Sequence, residues 1–120
     1  MKVIVRVSRS FKRQAKPLLK KFSSLRDELT QLEEELIENP RLGKPLGHDS
    51  YKIRLAVKSK GKGKSGGLRV ISHLDTEIVK MVEVEGNITI VTLISIYDKS
   101  ETTSISDKEL RDLISILQKE

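Results

Sequence analysis

The stretch ITIVTLISIY, residues 88–97, is the most apolar part of the chain and decides how the rest can fold. It is far shorter than the roughly 20 residues needed to span a bilayer, and threonine and serine interrupt it. We therefore interpret it as a buried β-strand and predict that neighbouring strands pair beside it. We expect no membrane association.

Shorter strands are predicted on the N-terminal side of this segment. Residues 68–74 and 78–84 are interpreted as strands, with Asp75-Thr76 as a tight turn between them and Glu85-Gly86-Asn87 as the turn before the apolar strand. Residues 51–57 alternate apolar and basic side chains, which is typical of a half-buried strand. The preceding residues 39–49 are predicted to form a loop, and residues 59–67, rich in glycine, another.

The outer parts of the chain alternate strand and helix signals. Val3, Val5 and Val7 predict an opening strand, and a helical apolar face follows from Phe11 to Phe22. Ser24 and Asp27 resemble a capping box for a second helix, which ends at Asn39-Pro40. A last helix is predicted to begin at residues 106–109, with an apolar face formed by Leu110, Leu113, Ile114 and Leu117.

These elements predict a single α+β domain covering residues 1–120. An N-terminal strand precedes an antiparallel helical hairpin, followed by a mainly antiparallel sheet of three or four strands and a C-terminal helix. We expect the helices to cover one face of the sheet.

Positive charge is concentrated around the second predicted strand. Residues 41–69 hold nine basic residues and one acidic residue, whereas the whole chain has a net charge of +6. A concentrated basic surface is typical of proteins that bind a polyanion, most often nucleic acid.

Composition excludes several kinds of site. The chain has no cysteine, which excludes disulfides, thiolate metal ligands and cysteine nucleophiles. His48 and His73 are far apart in the sequence and have no carboxylate cluster beside them. We predict no metal or other cofactor. Because no signal peptide is recognisable, a cytoplasmic location is expected.

Four motifs together resemble the RelE/ParE superfamily of toxins from type II toxin–antitoxin systems, most closely its HigB-like members. They are NP-x-LG at 39–43, KIR at 52–54, KGKGKSGGLRVI at 60–71 and IYDKSE at 96–101. The resemblance covers nearly the whole chain. It implies a RelE-like fold and a toxin that cuts messenger RNA on the ribosome. It also implies a cognate antitoxin as partner, with operator DNA bound only through the antitoxin complex.

The resemblance also implies site residues. The family's Lys-x-Arg pair on the second strand matches Lys52 and Arg54, and its arginine on the next strand matches Arg69. Tyr97 and Lys99 match the end of the last strand, although characterised relatives have an arginine and a following tyrosine there. Lys58, Lys60, Lys62 and Lys64 are predicted to contact the RNA backbone from the glycine-rich loop.

Metal-free RNA cleavage can use the 2′-hydroxyl as an internal nucleophile, which requires a base, cations around the phosphate and an acid. Crowded cations lower the pKa of a lysine, which would help Lys52 to accept a proton. We expect Lys52 or Tyr97 to transfer protons. Arg54, Arg69 and Lys99 are expected to stabilise the charge on the phosphate. Two other functions remain open. ParE-like relatives inhibit DNA gyrase without cutting RNA, and a basic subunit of an antitoxin-bound repressor complex would need no activity.

Overall fold

The computed structural model describes residues 2–61, 67–80, 85–101 and 104–120. Three helices and five strands follow one another along the chain. They are β1 (Lys2–Val7), α1 (Arg9–Lys21), α2 (Leu25–Glu38), β2 (Lys44–Gly47), β3 (Ser50–Leu55), β4 (Leu68–Lys80), β5 (Glu85–Asp98) and α3 (Asp107–Gln118), with a short 3-10 helix at Lys58–Lys60. The α+β class predicted from the sequence is confirmed.

The five strands form one mixed sheet in the order β1-β5-β4-β3-β2. β1 runs parallel to β5, and the remaining neighbours are antiparallel. The apolar segment 88–97 lies in β5, which has a neighbouring strand on each side. This central position accounts for its largely apolar character.

The two faces of the sheet pack against different helices. On one face, Phe11 and Ala15 of α1 and Leu32 of α2 share a buried cluster with residues such as Ile53 and Val70. On the other face, a smaller cluster joins Ile71, Ile94 and Leu110, so α3 packs there. We call these the hairpin face and the α3 face. The expectation that all helices cover one face is therefore wrong, because Val70 and Ile71 point to opposite sides of β4.

Three predicted connections are also wrong. The predicted loop 39–49 contains strand β2, which pairs with β3. Asp75-Thr76 is not a turn, since β4 pairs with β5 without interruption there, and residues 85–87 lie within β5. Residues 81–84, which include the end of the predicted strand 78–84, lie outside the described residues.

Helix capping differs from the prediction at one helix and matches it at another. Ser24 makes no side-chain cap on α2. Ser106 and Glu109 form a reciprocal capping box that begins α3, as its predicted start requires. In the part of the chain that the structure describes, no helix has the length and apolar composition needed to cross a membrane.

Candidate active site

Three of the predicted site residues lie in one row across the sheet. Arg54 of β3 pairs with Arg69 of β4, and Arg69 pairs with Tyr97 of β5. Directly paired residues have side chains on the same face, with Cβ atoms about 5 Å apart. Arg69 is two residues from Ile71 along β4, so this row lies on the α3 face. Residues 15 to 43 positions apart in the sequence are thus brought side by side.

The two arginines of the row differ in exposure. The side chain of Arg54 is exposed, whereas Arg69 is only 3% exposed and its Nη1 donates a hydrogen bond to the carbonyl oxygen of Leu68 at 3.2 Å. Two guanidinium groups on adjacent strands repel one another. An anion placed between them would relieve that repulsion, which makes the pair a suitable phosphate-binding element.

Lys52 extends the basic surface by one step along β3. It lies on the same face as Arg54, and its partner on β2 is Lys44. Burial lowers the pKa of Lys52, and the neighbouring charges of Lys44, Arg69, Arg54 and Lys99 lower it further. The lowered pKa was expected from crowding alone, but partial desolvation is the larger cause. Lys44 is a neighbour that the sequence argument did not identify.

Tyr97 lies beneath α3. Its ring packs against the cluster formed by Ile71, Ile94 and Leu110. Its hydroxyl is shielded from solvent and has no hydrogen-bond partner among the described residues. Burial raises the pKa of Tyr97, Arg69 lowers it and Glu109 raises it. A buried hydroxyl without a hydrogen-bond partner costs about 1–3 kcal/mol, so a ligand group that bonded to it would recover that cost.

Lys99 follows the end of β5. The strand ends at Asp98, and residues 99–101 form a turn closed by the Glu101 N–H donating to the carbonyl oxygen of Asp98. Lys99 therefore lies outside the strand that carries Tyr97. The charge of Lys99 nevertheless contributes to lowering the pKa of Lys52.

Lys60 lies on the other face of the sheet. Its Nζ pairs with the Oδ1 of Asp98 at 2.5 Å, and both side chains are almost fully buried. Asp98 also accepts hydrogen bonds from the backbone N–H and the hydroxyl of Ser100. Burial alone would raise the pKa of Asp98, but these hydrogen bonds outweigh burial and lower the pKa to about 2. Lys60 thus anchors the 3-10 helix to the end of β5.

A second set of contacts fixes this 3-10 helix to α2. Glu28 accepts a hydrogen bond from the backbone N–H of Lys58 at 2.7 Å and another from the hydroxyl of Ser24. The backbone N–H of Ser59 donates to the Ser24 hydroxyl oxygen. The side chain of Lys58 remains exposed. Lys62 and Lys64 lie outside the described residues.

The two histidines lie away from the row. His48 Nε2 is 3.1 Å from the Oδ1 of Asp107, the first residue of α3. His73 Nδ1 is 3.2 Å from the hydroxyl of Ser50, its partner in the β3–β4 ladder. Within the described residues, no group of three histidine, aspartate or glutamate side chains is arranged to share a metal ion.

A further basic surface was overlooked in the sequence. Residues 1–26 contain nine lysines and arginines and no acidic residue, and six of these cations lie on α1. The charge balance outside residues 41–69 hides them, because acidic residues elsewhere cancel their charge. The absence of any acid before Asp27 was the signal that could have revealed them.

No protein-family model matches the chain, and no solved structure matches it. Function is therefore inferred from the geometry of the site and from the resemblance of the four sequence motifs.

Proposed function

We propose that the protein is the toxin of a type II toxin–antitoxin module, a RelE/ParE-like, HigB-like endoribonuclease that cuts messenger RNA on the ribosome. The observation that carries the proposal is the row Arg54–Arg69–Tyr97 with Lys52 beside it. Clustered cations on a rigid sheet suit a phosphodiester that gains negative charge in its transition state.

The proposed reaction needs no group beyond these side chains. The 2′-oxygen of the RNA attacks the adjacent phosphorus, its proton passes to a base, and the bond to the 5′-oxygen breaks as that oxygen takes a proton. Arg54, Arg69 and Lys99 stabilise the charge on the five-coordinate phosphate. Binding the phosphate between Arg54 and Arg69 positions the 2′-hydroxyl for attack.

The pKa directions favour one assignment of the proton transfers. A lysine whose pKa is lowered is neutral more often near pH 7, so Lys52 suits the base. A tyrosine whose pKa is raised holds its proton and suits the acid, so Tyr97 is assigned to the leaving oxygen. Because the Tyr97 hydroxyl is shielded and Arg69 is only 3% exposed, their roles require the α3 face of the sheet to open when RNA binds.

The basic loop is assigned to docking. Lys58 is exposed at the start of the glycine-rich stretch, and its backbone is fixed by Glu28. Together with Lys62 and Lys64 it would contact the RNA backbone without reading sequence. We leave Lys60 out of this set, since its charge is used by Asp98. We further propose that a cognate antitoxin neutralises the protein in the cytoplasm, and that operator DNA is bound only through the antitoxin complex.

Expression of the protein alone, followed by mapping of messenger RNA 5′ ends on ribosomes, tests the proposal. New 5′ ends within translated codons and arrested growth are the expected results. Intact messages accompanied by DNA breaks would refute the nuclease and favour inhibition of DNA gyrase. Intact messages with normal growth would refute both and leave a basic subunit of a repressor complex.

A further inference from the structure

The outward face of α1 carries a stripe of five cations. At 3.6 residues per turn, Arg9, Lys12, Arg13, Lys16 and Lys20 fall within about 100° of the helix circumference. All five side chains are exposed, and they lie opposite the buried side chains of Phe11 and Ala15. Within the described residues, none of the five side chains forms an ion pair with a carboxylate.

Four of the five cations lie where they lower the stability of the helix, whereas Lys20 lies in the last turn, where a cation suits the helix dipole. α1 has no acidic residue in its own first turn, and Arg9 and Lys12 lie near the positive end of the helix dipole, where the Glu120 carboxylate accepts a hydrogen bond from the Arg9 backbone N–H at 3.0 Å. Lys12 and Lys16, and Lys16 and Lys20, are like charges four residues apart, which repel one another. A surface that retains such an arrangement is better explained by a ligand than by folding.

The stripe points away from the candidate active site. α1 packs on the hairpin face of the sheet, where Phe11 and Ala15 join the core, whereas Lys52 and Arg54 lie on the α3 face. An RNA segment bound at the row cannot also cover the stripe, because the sheet lies between them. The stripe must therefore bind a second segment or a different molecule.

We infer that the outward face of α1 is a second binding surface for an RNA backbone, separate from the candidate active site. Successive cations on the stripe are about 5–6 Å apart, so they can contact several phosphates along one strand. The inference rests on the proposed function in placing RNA at the sheet as well. A protein with RNA on both sides of its sheet suits a substrate held inside a larger RNA assembly.

An acidic protein helix is the competing ligand. A groove between α1 and α2, lined by Ala15, Leu19 and Leu29 with Lys12, Lys16 and Lys20 at its edge, would suit an acidic amphipathic segment. Protein interfaces depend on apolar anchors at their centre. The stripe itself has only cations along its midline, which favours a phosphate backbone over a protein.

The test measures binding of a fluorescent RNA duplex of about 16 base pairs by anisotropy across salt concentrations from about 50 to 200 mM. The variant combines Lys12→Gln, Lys16→Gln and Lys20→Gln, and the control combines Lys108→Gln, Arg111→Gln and Lys119→Gln for the same change in charge. We expect the slope of log affinity against log salt to fall by about 2 to 3 for the α1 variant, with affinity at least about tenfold weaker. The control variant should lose much less affinity and much less of the slope.

A charge-conserving variant and a check of folding serve as further controls. The charge-conserving variant Lys12→Arg, Lys16→Arg, Lys20→Arg should bind the duplex as the wild type does, and circular dichroism checks that every variant is folded. Equal losses in the α1 variant and the control, or no duplex binding by the wild type, would overturn the inference. So would a loss of affinity for poly-glutamate without any loss for RNA, which would identify an acidic protein partner.

This experiment separates the inference from the proposed function, because duplex binding is measured without any cleavage. A protein that binds the duplex through α1 but cuts no message would refute the nuclease and leave the α1 surface in place. A protein that cuts messages but binds the duplex equally well with and without the three lysines would refute the α1 surface and leave the nuclease in place.

Discussion

Arg54 and Arg69 are neighbours in the ladder, but substitutions at the two report on different properties. Arg69 is buried, so its removal leaves a cavity and loses the hydrogen bond to the Leu68 carbonyl oxygen, and lost activity could follow from lost stability. Arg54 is exposed, so its removal changes charge with little effect on packing. Arg54 is therefore the residue that tests the site.

We expect Arg54→Gln to lower the rate of messenger RNA cleavage on ribosomes by about 100-fold, the effect typical of losing one transition-state donor. The rate is measured in single-turnover reactions with purified protein. Arg41→Gln is the matched control, since Arg41 is exposed in the same basic segment but donates its hydrogen bond to Tyr51, which packs on the hairpin face. Equal losses from the two substitutions would show that net charge, not position, governs activity.

Removing the charge of Lys52 should increase the stability of the protein and abolish its activity. Because the pKa of Lys52 is lowered, its positive charge destabilises the folded state. This destabilisation is present below the pKa of Lys52 in the folded protein and disappears as pH rises toward its pKa in the unfolded chain, near 10.4. Lys52→Met should therefore raise the free energy of unfolding at pH 7, because it removes a charge that the folded state disfavours. The gain should shrink at pH 10, and cleavage should be lost.

Denaturant unfolding at the two pH values measures the change at Lys52. Lys44→Met serves as the comparison, because Lys44 is the exposed partner of Lys52 in the β2–β3 ladder. A Lys52→Met protein that is less stable than the wild type at pH 7 would contradict the electrostatic account of this residue.

The connection between the 3-10 helix and β5 depends on an ionised carboxylate. Asp98 has a pKa of about 2 in the folded protein, below its ordinary value of 3.8, so its contribution to stability is present above about pH 4 and is lost as pH falls toward 2. The shift corresponds to about 2 kcal/mol. Asp98→Asn should therefore unfold more easily than the wild type at pH 7, and the difference should narrow below pH 4.

Thermal unfolding followed by circular dichroism from pH 7 to pH 2 measures this narrowing. Glu101→Gln is a suitable control, because Glu101 forms only an exposed pair with Lys21 at 3.7 Å. A difference between Asp98→Asn and the wild type that stays constant with pH would show that the carboxylate charge is unimportant.

Individual elements could be predicted from the sequence where local signals agree. The alternation of Val3, Val5 and Val7 and the capping residues of α3 sufficed for β1 and for the start of the last helix. Asp75 and Thr76 have turn propensity, but their backbone groups find partners on β5, and the continuous ladder outweighs that local preference. β2 was missed because four residues that include Pro45 and Gly47 give no alternating pattern.

The candidate site was likewise predictable from the sequence only in part. Alternation along one strand places Lys52 and Arg54 together, and the sequence is enough for that. The alignment of Arg54, Arg69 and Tyr97 depends on the register between strands, which no single segment encodes. The side on which α3 packs is equally invisible, because an amphipathic helix records that it has a buried face but not which surface covers it.

At the scale of the whole molecule, the sheet separates two basic surfaces. Lys52, Arg54 and Arg69 lie on the α3 face, and the cations of α1 point outward beyond the hairpin face. In the proposed function the first surface stabilises a transition state, whereas the second holds RNA equally well before and during the reaction. Loss of the first should lower the catalytic rate, and loss of the second should raise the concentration needed for half-maximal rate.

The two defects should combine independently. A protein carrying Arg54→Gln together with the three glutamine substitutions on α1 should show both the lower rate and the weaker binding, with free-energy changes that add, because α1 packs on the hairpin face and Arg54 lies on the α3 face. Ribosome titrations of the four proteins measure both parameters. A combined variant no worse than Arg54→Gln alone would mean that one continuous RNA segment reaches both surfaces, and that the sheet does not divide the molecule into separate binding sites.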